Sequence, residues 1–310
     1  AGTVVGATTM RLHDLNPLAL GSASGGVGVK LLDNGTSNTT AASYTTNSIT
    51  FQWSSSATYA VNDSTWYNGV NYVCTQAHSA TASLTPDQTG SSYWRPYGTA
   101  DGRTWFAFVA TGSIYTQTVL TTGCGLTWTP LQTTAWGAQT RRFTVLQGTG
   151  TPTNGAITFA SSGGGNWTGV NYGIVEVSGV SSGGTDTLPV ASLPAINSSA
   201  ITLVSSGTAL SLISGNNVQS DATPYTLLLG AAAGNGGTHT PSIGFAELVE
   251  NSRGTSTVTT FSIFSLTGYA ATTTIGTAQA TSSTGVVCGL VLQPSLRYND
   301  GMVVSVGSGA

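Results

Sequence analysis

Charge is what this chain has least of: 8 Lys plus Arg and 11 Asp plus Glu make up 6% of its 310 residues, where about 25% is ordinary. Lysine is nearly missing, with Lys30 standing alone, and the one adjacent basic pair is Arg141-Arg142. A nucleic-acid binder neutralises phosphates with clustered cations, so nucleic acid is excluded as a partner. No apolar run approaches the 18 or so residues of a membrane span, which excludes helical membrane insertion. The first residues also lack the basic region and apolar block of a secretory signal, although a processed signal peptide would leave no trace. Cys74, Cys124 and Cys288 are odd in number, widely spaced and without a Cys-x-x-Cys, a pattern of neither a disulfide framework nor a zinc site. Buried free thiols are the default, with one bridge left open. His13, His78 and His239 lie far apart and read as surface or turn histidines, so no metal or other cofactor is expected.

Thr, Ser and Gly replace the charge. With 39% hydrophobic residues and a net charge of −3, the chain is not a disordered polyelectrolyte and folds. Its 41 glycines favour many turns and close backbone packing over long surface helices.

Length predicts two or three domains, and composition divides the chain into four segments. Residues 1–50 are rich in Gly, Ser, Thr and Ala, and read as an N-terminal arm or docking segment with a strand or two. Their weak helical hint, Met10 to Leu20, is interrupted by Pro17 and Gly21. Residues 51–99 concentrate aromatics: Trp53, Tyr59, Trp66, Tyr67, Tyr72, Tyr93, Trp94 and Tyr97 mark a small module. Residues 100–296 show strand grammar, short apolar or alternating runs bounded by Gly, Ser, Asn and Thr. Strands are predicted at 142–146, 156–159, 173–177, 226–229, 259–264 and 286–292. Residues 297–310 form a tail with one further strand, Met302 to Val306. The fold class that follows is all-β, a small aromatic-rich β module joined to a β-sandwich or jelly-roll domain. No fixed period indicates a solenoid or propeller.

Two resemblances follow from particular residues. The run from Tyr59 through Asn62-Asp63, Trp66-Tyr67-Asn68-Gly69 and Tyr72 to Cys74, then Pro86 and Tyr93-Trp94, resembles the small aromatic-rich carbohydrate-binding modules of chitinases and cellulases, which recur in bacteriophage tail fibres. Asn62 stands where that family has Gly, and Thr65 where it has an apolar core residue. Across 105–295, Gly125-Leu126-Thr127-Trp128, Arg141-Arg142-Phe143, Asn166-Trp167-Thr168-Gly169, Val175-Glu176-Val177, Gly244-Phe245 and Gly289-Leu290-Val291-Leu292 resemble a β-sandwich domain of phage virion and tail proteins, without a catalytic signature.

A sugar site needs exposed aromatic faces flanked by hydrogen-bonding groups. If Thr65 takes the inward position that the first resemblance implies, side-chain alternation turns Trp66 outward. Trp66 therefore ranks first as a carbohydrate-binding residue, followed by Trp94, Tyr72 and Trp53. The competing reading places the module's aromatics, Tyr59, Tyr67 and Tyr93 above all, in its core. Asn68-Gly69 is expected to make a hairpin turn and Asp63 to cap one. Glycoside hydrolysis needs two facing carboxylates, whereas the acidic residues here are scattered. Glu176, inside an apolar strand, is expected to be a structural partner of Arg141 or Arg142.

The expectation is a non-enzymatic phage virion protein, a fibre, spike or head-decoration subunit, adhering to surface glycan through the aromatic module. It would assemble with copies of itself as a homotrimer and meet other virion proteins through the N-terminal arm, on the particle surface or tail. Two alternatives are a purely architectural virion subunit and a secreted, extracellular polysaccharide-degrading enzyme with a binding module.

Overall fold

The computed structural model describes residues 28–292 apart from 62, 69, 88–91, 99–102, 113–118, 137–140, 179–194, 204–207, 212–226, 236, 255–258, 268–273 and 280–282. The expected segment 10–20, His13 and the expected strand 302–306 lie outside the described residues. Every regular element described is a strand: β1 (Gly28–Ser37), β2 (Ser43–Thr45), β3 (Thr58–Tyr59), β4 (Ser64–Tyr67), β5 (Val70–Cys74), β6 (His78–Ser79) and β7 (Trp94–Gly98) come first. Then follow β8 (Arg103–Gly112), β9 (Val119–Gly123), β10 (Thr127–Trp136), β11 (Arg141–Thr149), β12 (Ile157–Ser161) and β13 (Val170–Ser178). The last eight are β14 (Ala195–Leu203), β15 (Thr208–Ser211), β16 (Leu227–Gly234), β17 (His239–Pro241), β18 (Ala246–Arg253), β19 (Thr259–Thr267), β20 (Thr274–Gln279) and β21 (Ser283–Leu292). The protein is all-β, and each of the six strands expected between 142 and 292 overlaps an observed one.

The sheets repeat one plan. A five-stranded sheet β1-β13-β8-β11-β10 is matched by a three-stranded sheet β2-β12-β9, and later β14-β21-β16-β19-β18 is matched by β15-β20-β17. Leaving out the module strands β3–β7 and lettering each set of eight from a to h, both halves read a-h-c-f-e and b-g-d. This is a jelly-roll-like order in which strand e lies beside f. The sequence reading marks one sandwich over 100–296 and a docking segment over 1–50. The structure has two sandwiches, and residues 28–45 supply strands a and b of the first, because β1 pairs along its length with β13 from Gly28↔Ser178 to Ser37↔Val170.

The two halves are closely equivalent in detail. Strand e carries a bulge in both, between Pro130 and Gln132 in β10 and between Glu247 and Val249 in β18. The bulged residue is a leucine each time, Leu131 or Leu248, packed on the same core. Bulges bend a strand and pin its register.

That core lies between the halves. On β8, Phe106, Phe108 and Ala110 face the second sandwich, while Trp105, Ala107 and Val109 face the first sandwich's own three-stranded sheet. From the second half, Ala231, Ala233, Phe261, Ile263, Val286, Cys288, Leu290 and Leu292 join the shared core. The molecule is thus four sheets deep, and strands of the inner layers are buried on both faces. This explains why Trp105 to Ala110 is a continuous apolar run where a half-exposed strand would alternate. At the centre, Phe143 of β11 meets its topological equivalent Phe261 of β19, ring centroids 6.2 Å apart. Edge strand β1 abuts β18, and β10 abuts β14, so each a strand meets the other half's e strand. This is an isologous, approximately two-fold contact inside one chain. Gly173 allows the close approach: a Cβ there would lie 2.4 Å from Ile263 Cδ1.

Candidate functional site

The aromatic module is inserted between β2 and β8. Its strands form a β4-β5-β7 sheet and a β3-β6 pair. The β4–β5 hairpin turns between Tyr67 and Val70, opposite each other in the ladder. Asn68 adopts φ +49° there, a left-handed conformation that Asn tolerates. Asp63 caps its turn as expected, Oδ2 accepting from Ala60 N–H at 2.8 Å, and Oδ1 accepts from Lys30 Nζ at 2.9 Å.

Trp66 does not face outward. It is 3% exposed and packs into the first sandwich's interior beside Phe51 and Trp105. Side-chain alternation alone does not set its direction, because the module is not a free-standing domain. The Phe51–Trp53 segment runs beside β4, Trp66 N–H donating to Phe51 O at 3.0 Å and Trp53 N–H to Trp66 O at 2.8 Å. The face opposite Tyr67 is thereby turned onto the sandwich. Thr65, on the other face, is buried too and donates to Phe51 O at 3.2 Å. Trp94 and Tyr72 are buried in the module's own core with Tyr59 and Cys74. Trp53 is half-buried and meets Tyr67 edge to face at 5.3 Å. The structure therefore separates the four candidates: Trp66 lies in the sandwich interior, Trp94 and Tyr72 in the module core, and Trp53 at the module's edge. His78 is no simple surface residue, lying among Tyr59, Tyr93 and Trp94 with Tyr93 at 4.5 Å.

The cysteines are free thiols and buried. Burial pushes the Cys74 and Cys124 thiols up, and Cys288 further still, which makes thiolate chemistry unfavourable.

Glu176 is paired as expected, but with Arg103, not with Arg141 or Arg142. Arg103 Nη1 donates to Glu176 Oε1 at 2.6 Å, Trp105 Nε1 to Oε2 at 3.1 Å and Ser64 Oγ to Oε1 at 2.7 Å. Glu176 and Arg103 are both buried, and Ser64 belongs to the module. One carboxylate thus ties two sandwich strands to the insertion. Arg103 is not recognisable as the partner from sequence, because the partner is chosen by pairing of β13 with β8, Glu176 opposite Trp105 and Ser178 opposite Arg103.

His239 is likewise interior, a correction to the surface expectation. It is 4% exposed, with Nε2 3.1 Å from Thr260 Oγ1 and Gln279 Nε2 donating to that hydroxyl at 2.7 Å. The His239 amide donates to Glu250 Oε1. Burial lowers the imidazole to about 4 and raises the Glu250 carboxyl.

Fold and site together define a class: an all-β protein of two fused jelly-roll-like sandwiches, the first carrying an aromatic insertion sealed against it. No protein-family model, curated protein or solved structure matches the chain.

Proposed function

We propose that this chain is a non-enzymatic structural subunit of a bacteriophage particle, a fibre, spike or head-decoration protein, in which the aromatic insertion braces the scaffold. The observation that carries the reading is the burial of Trp66 at 3% exposure in the sandwich interior. The residue most suited to stack on a sugar is spent on holding the module in place. The resemblance to phage virion sandwiches and the scarcity of charge support the particle context, since uncharged faces pack against copies of themselves without desolvating ions. In this reading the subunit is a homotrimer on the virion, with its N-terminal segment meeting other virion proteins.

An adhesive role fits in a narrower form, with glycan at the half-buried Trp53 and Tyr67 instead of Trp66. Many weak sites on one particle suffice through avidity. The degradative reading draws no support from Glu247 and Glu250, which sense each other's charge but are engaged by Ser262 Oγ and the His239 amide.

Light scattering on the intact chain, paired with retention on insoluble polysaccharides, tests these readings. The architectural reading expects a trimer mass, loss of assembly or stability in Trp66→Ala, and no retention change in Trp53→Ala. A strictly monomeric protein at particle-like concentrations overturns it. Retention by the wild type that is lost in Trp53→Ala replaces it with adhesion.

A further inference from the structure

Where strand e of the second sandwich meets the first, a cation is buried with no anionic partner among the described residues. Arg253, the last residue of β18, is 8% exposed, and its Nε and Nη2 are buried with no hydrogen-bond partner. Its guanidinium lies over two glycines at the end of the first sandwich's inner sheet. A Cβ on Gly112 would lie 3.0 Å from Arg253 Nη2, and one on Gly169 2.7 Å from Nη1. Arg141, opposite Gly112 in the β11–β8 ladder, is near enough for its charge to act on Arg253. Thr168 points its hydroxyl at the same place, 2.2 Å from the Gly112 Cβ position. Thr168 is exposed and Arg141 half-buried.

No described carboxylate accounts for this arrangement. Among the described residues, Asp33 is held by Asn47 and Tyr172, Asp63 by Ala60 and Lys30, and Asp87 by Asn68 and Thr85. Glu176 is held by Arg103, Glu247 by Ser262 and Glu250 by His239. In the chain, residues 113–118, 137–140 and 255–258, next to Gly112, Arg141 and Gly254 in sequence, contain no Asp or Glu. An arginine keeps its charge in proteins, and burying a charge without a partner is strongly unfavourable. Two neighbouring cations beside two glycines and a hydroxyl suit an oxyanion, because a guanidinium donates two parallel N–H bonds to phosphate, sulfate or carboxylate oxygens.

We propose that Arg253 and Arg141, with the Thr168 hydroxyl, form a binding site for an oxyanion, a phosphate, sulfate or carboxylate group, at the junction of the two sandwiches. Burial and the neighbouring Arg141 both hold the Arg253 guanidinium down, to about 10, and an anion in the site relieves both effects. The site does not depend on the proposed virion role. Its topological equivalent in the first sandwich is Trp136, the last residue of β10 and buried in the shared core, so the cation belongs to one end of the molecule only.

The test is thermal unfolding of the full chain in sodium phosphate, sodium sulfate or sodium glucuronate against sodium chloride and neutral glucose at matched ionic strength. Phosphate line width in 31P NMR serves as a second readout. We expect at least one oxyanion to raise Tm saturably beyond chloride. A response to glucuronate alone identifies an acidic saccharide, and a response to phosphate or sulfate alone a free or esterified tetrahedral anion. Arg253→Met is expected to unfold no earlier than wild type in chloride and to lose the anion response. Arg141→Gln, on the half-buried rim, is expected to keep the fold and weaken the anion response about tenfold. Equal wild-type Tm in chloride and all three oxyanions, with unbroadened phosphate, overturns the proposal. So does a phosphate response that survives in Arg253→Met or is undiminished in Arg141→Gln.

Discussion

The two sandwiches share strand order, the bulge on strand e and the facing Phe143 and Phe261, yet they treat buried polarity differently. The first pairs a carboxylate with a guanidinium, Glu176 with Arg103, and uses the pair to hold an insertion. The second buries neutral groups, His239, Thr260 and Gln279, and places Arg253 at its edge without a counter-ion among the described residues. The apolar layers set the shared frame, while departures from it mark where each half has been adapted. In the first half the departure is the module between strands b and c, sealed by Trp66. In the second it is the cation at the end of strand e.

The largest expected effect lies on the first side of this comparison. Glu176→Ala leaves Arg103 buried without its anion and is expected to cost about 3–5 kcal/mol in urea unfolding. Glu176→Ala combined with Arg103→Met is expected to recover part of that loss. If the single variant costs under about 1 kcal/mol, as an exposed pair would, the first sandwich is not organised around this pair.

The second sandwich is tested by pH. His239 is lowered from 6.5 to about 4 by burial, so between those values the unfolded chain binds the extra proton. Its contribution is fully present above pH 6.5 and is lost as pH falls through 4, a swing of about 3 kcal/mol. His239→Gln is expected to flatten that acid limb. Glu250, whose raised carboxyl works in the opposite sense as pH rises, is common to both proteins and cancels in the difference. An unchanged acid limb in the variant would place the titration elsewhere.

A smaller effect probes the interface that makes the halves one body. Gly173→Ala pushes a methyl onto Ile263 and is expected to cost about 1–3 kcal/mol, read as a drop in Tm. Adding Ile263→Val makes room at that point, so the double variant should be less destabilised than the sum of the two singles. Simple additivity would mean the sheets do not touch there. Smallest of all is Lys30→Gln, which breaks an ion pair whose lysine side chain is 50% exposed and should change stability by no more than about 1 kcal/mol.

The strands of both halves are legible in the sequence because apolar runs bounded by Gly, Ser and Thr carry the pattern locally. The duplication is not. Equivalent positions share size and pleat phase more than identity: Phe143 matches Phe261 and Leu131 matches Leu248, but Trp136 matches Arg253. The candidate site was legible only as composition. Eight aromatics announced a module, but which of them face outward depends on the surface the module is laid against, and that surface comes from Phe51, Trp105 and other residues distant in the chain.

All-β character, scarce charge, a hairpin at Asn68 and a carboxylate at 176 that had to find a partner are legible in the chain alone. These are properties of a residue and its near neighbours, or of cost: a charge inside a strand must be neutralised wherever the strand goes. Only the tertiary structure decided which partner, which face of Trp66, and the meeting of Arg253 with Arg141. Those depend on how sheets and segments register against each other, and contacts between residues far apart in the chain leave no periodic trace in it.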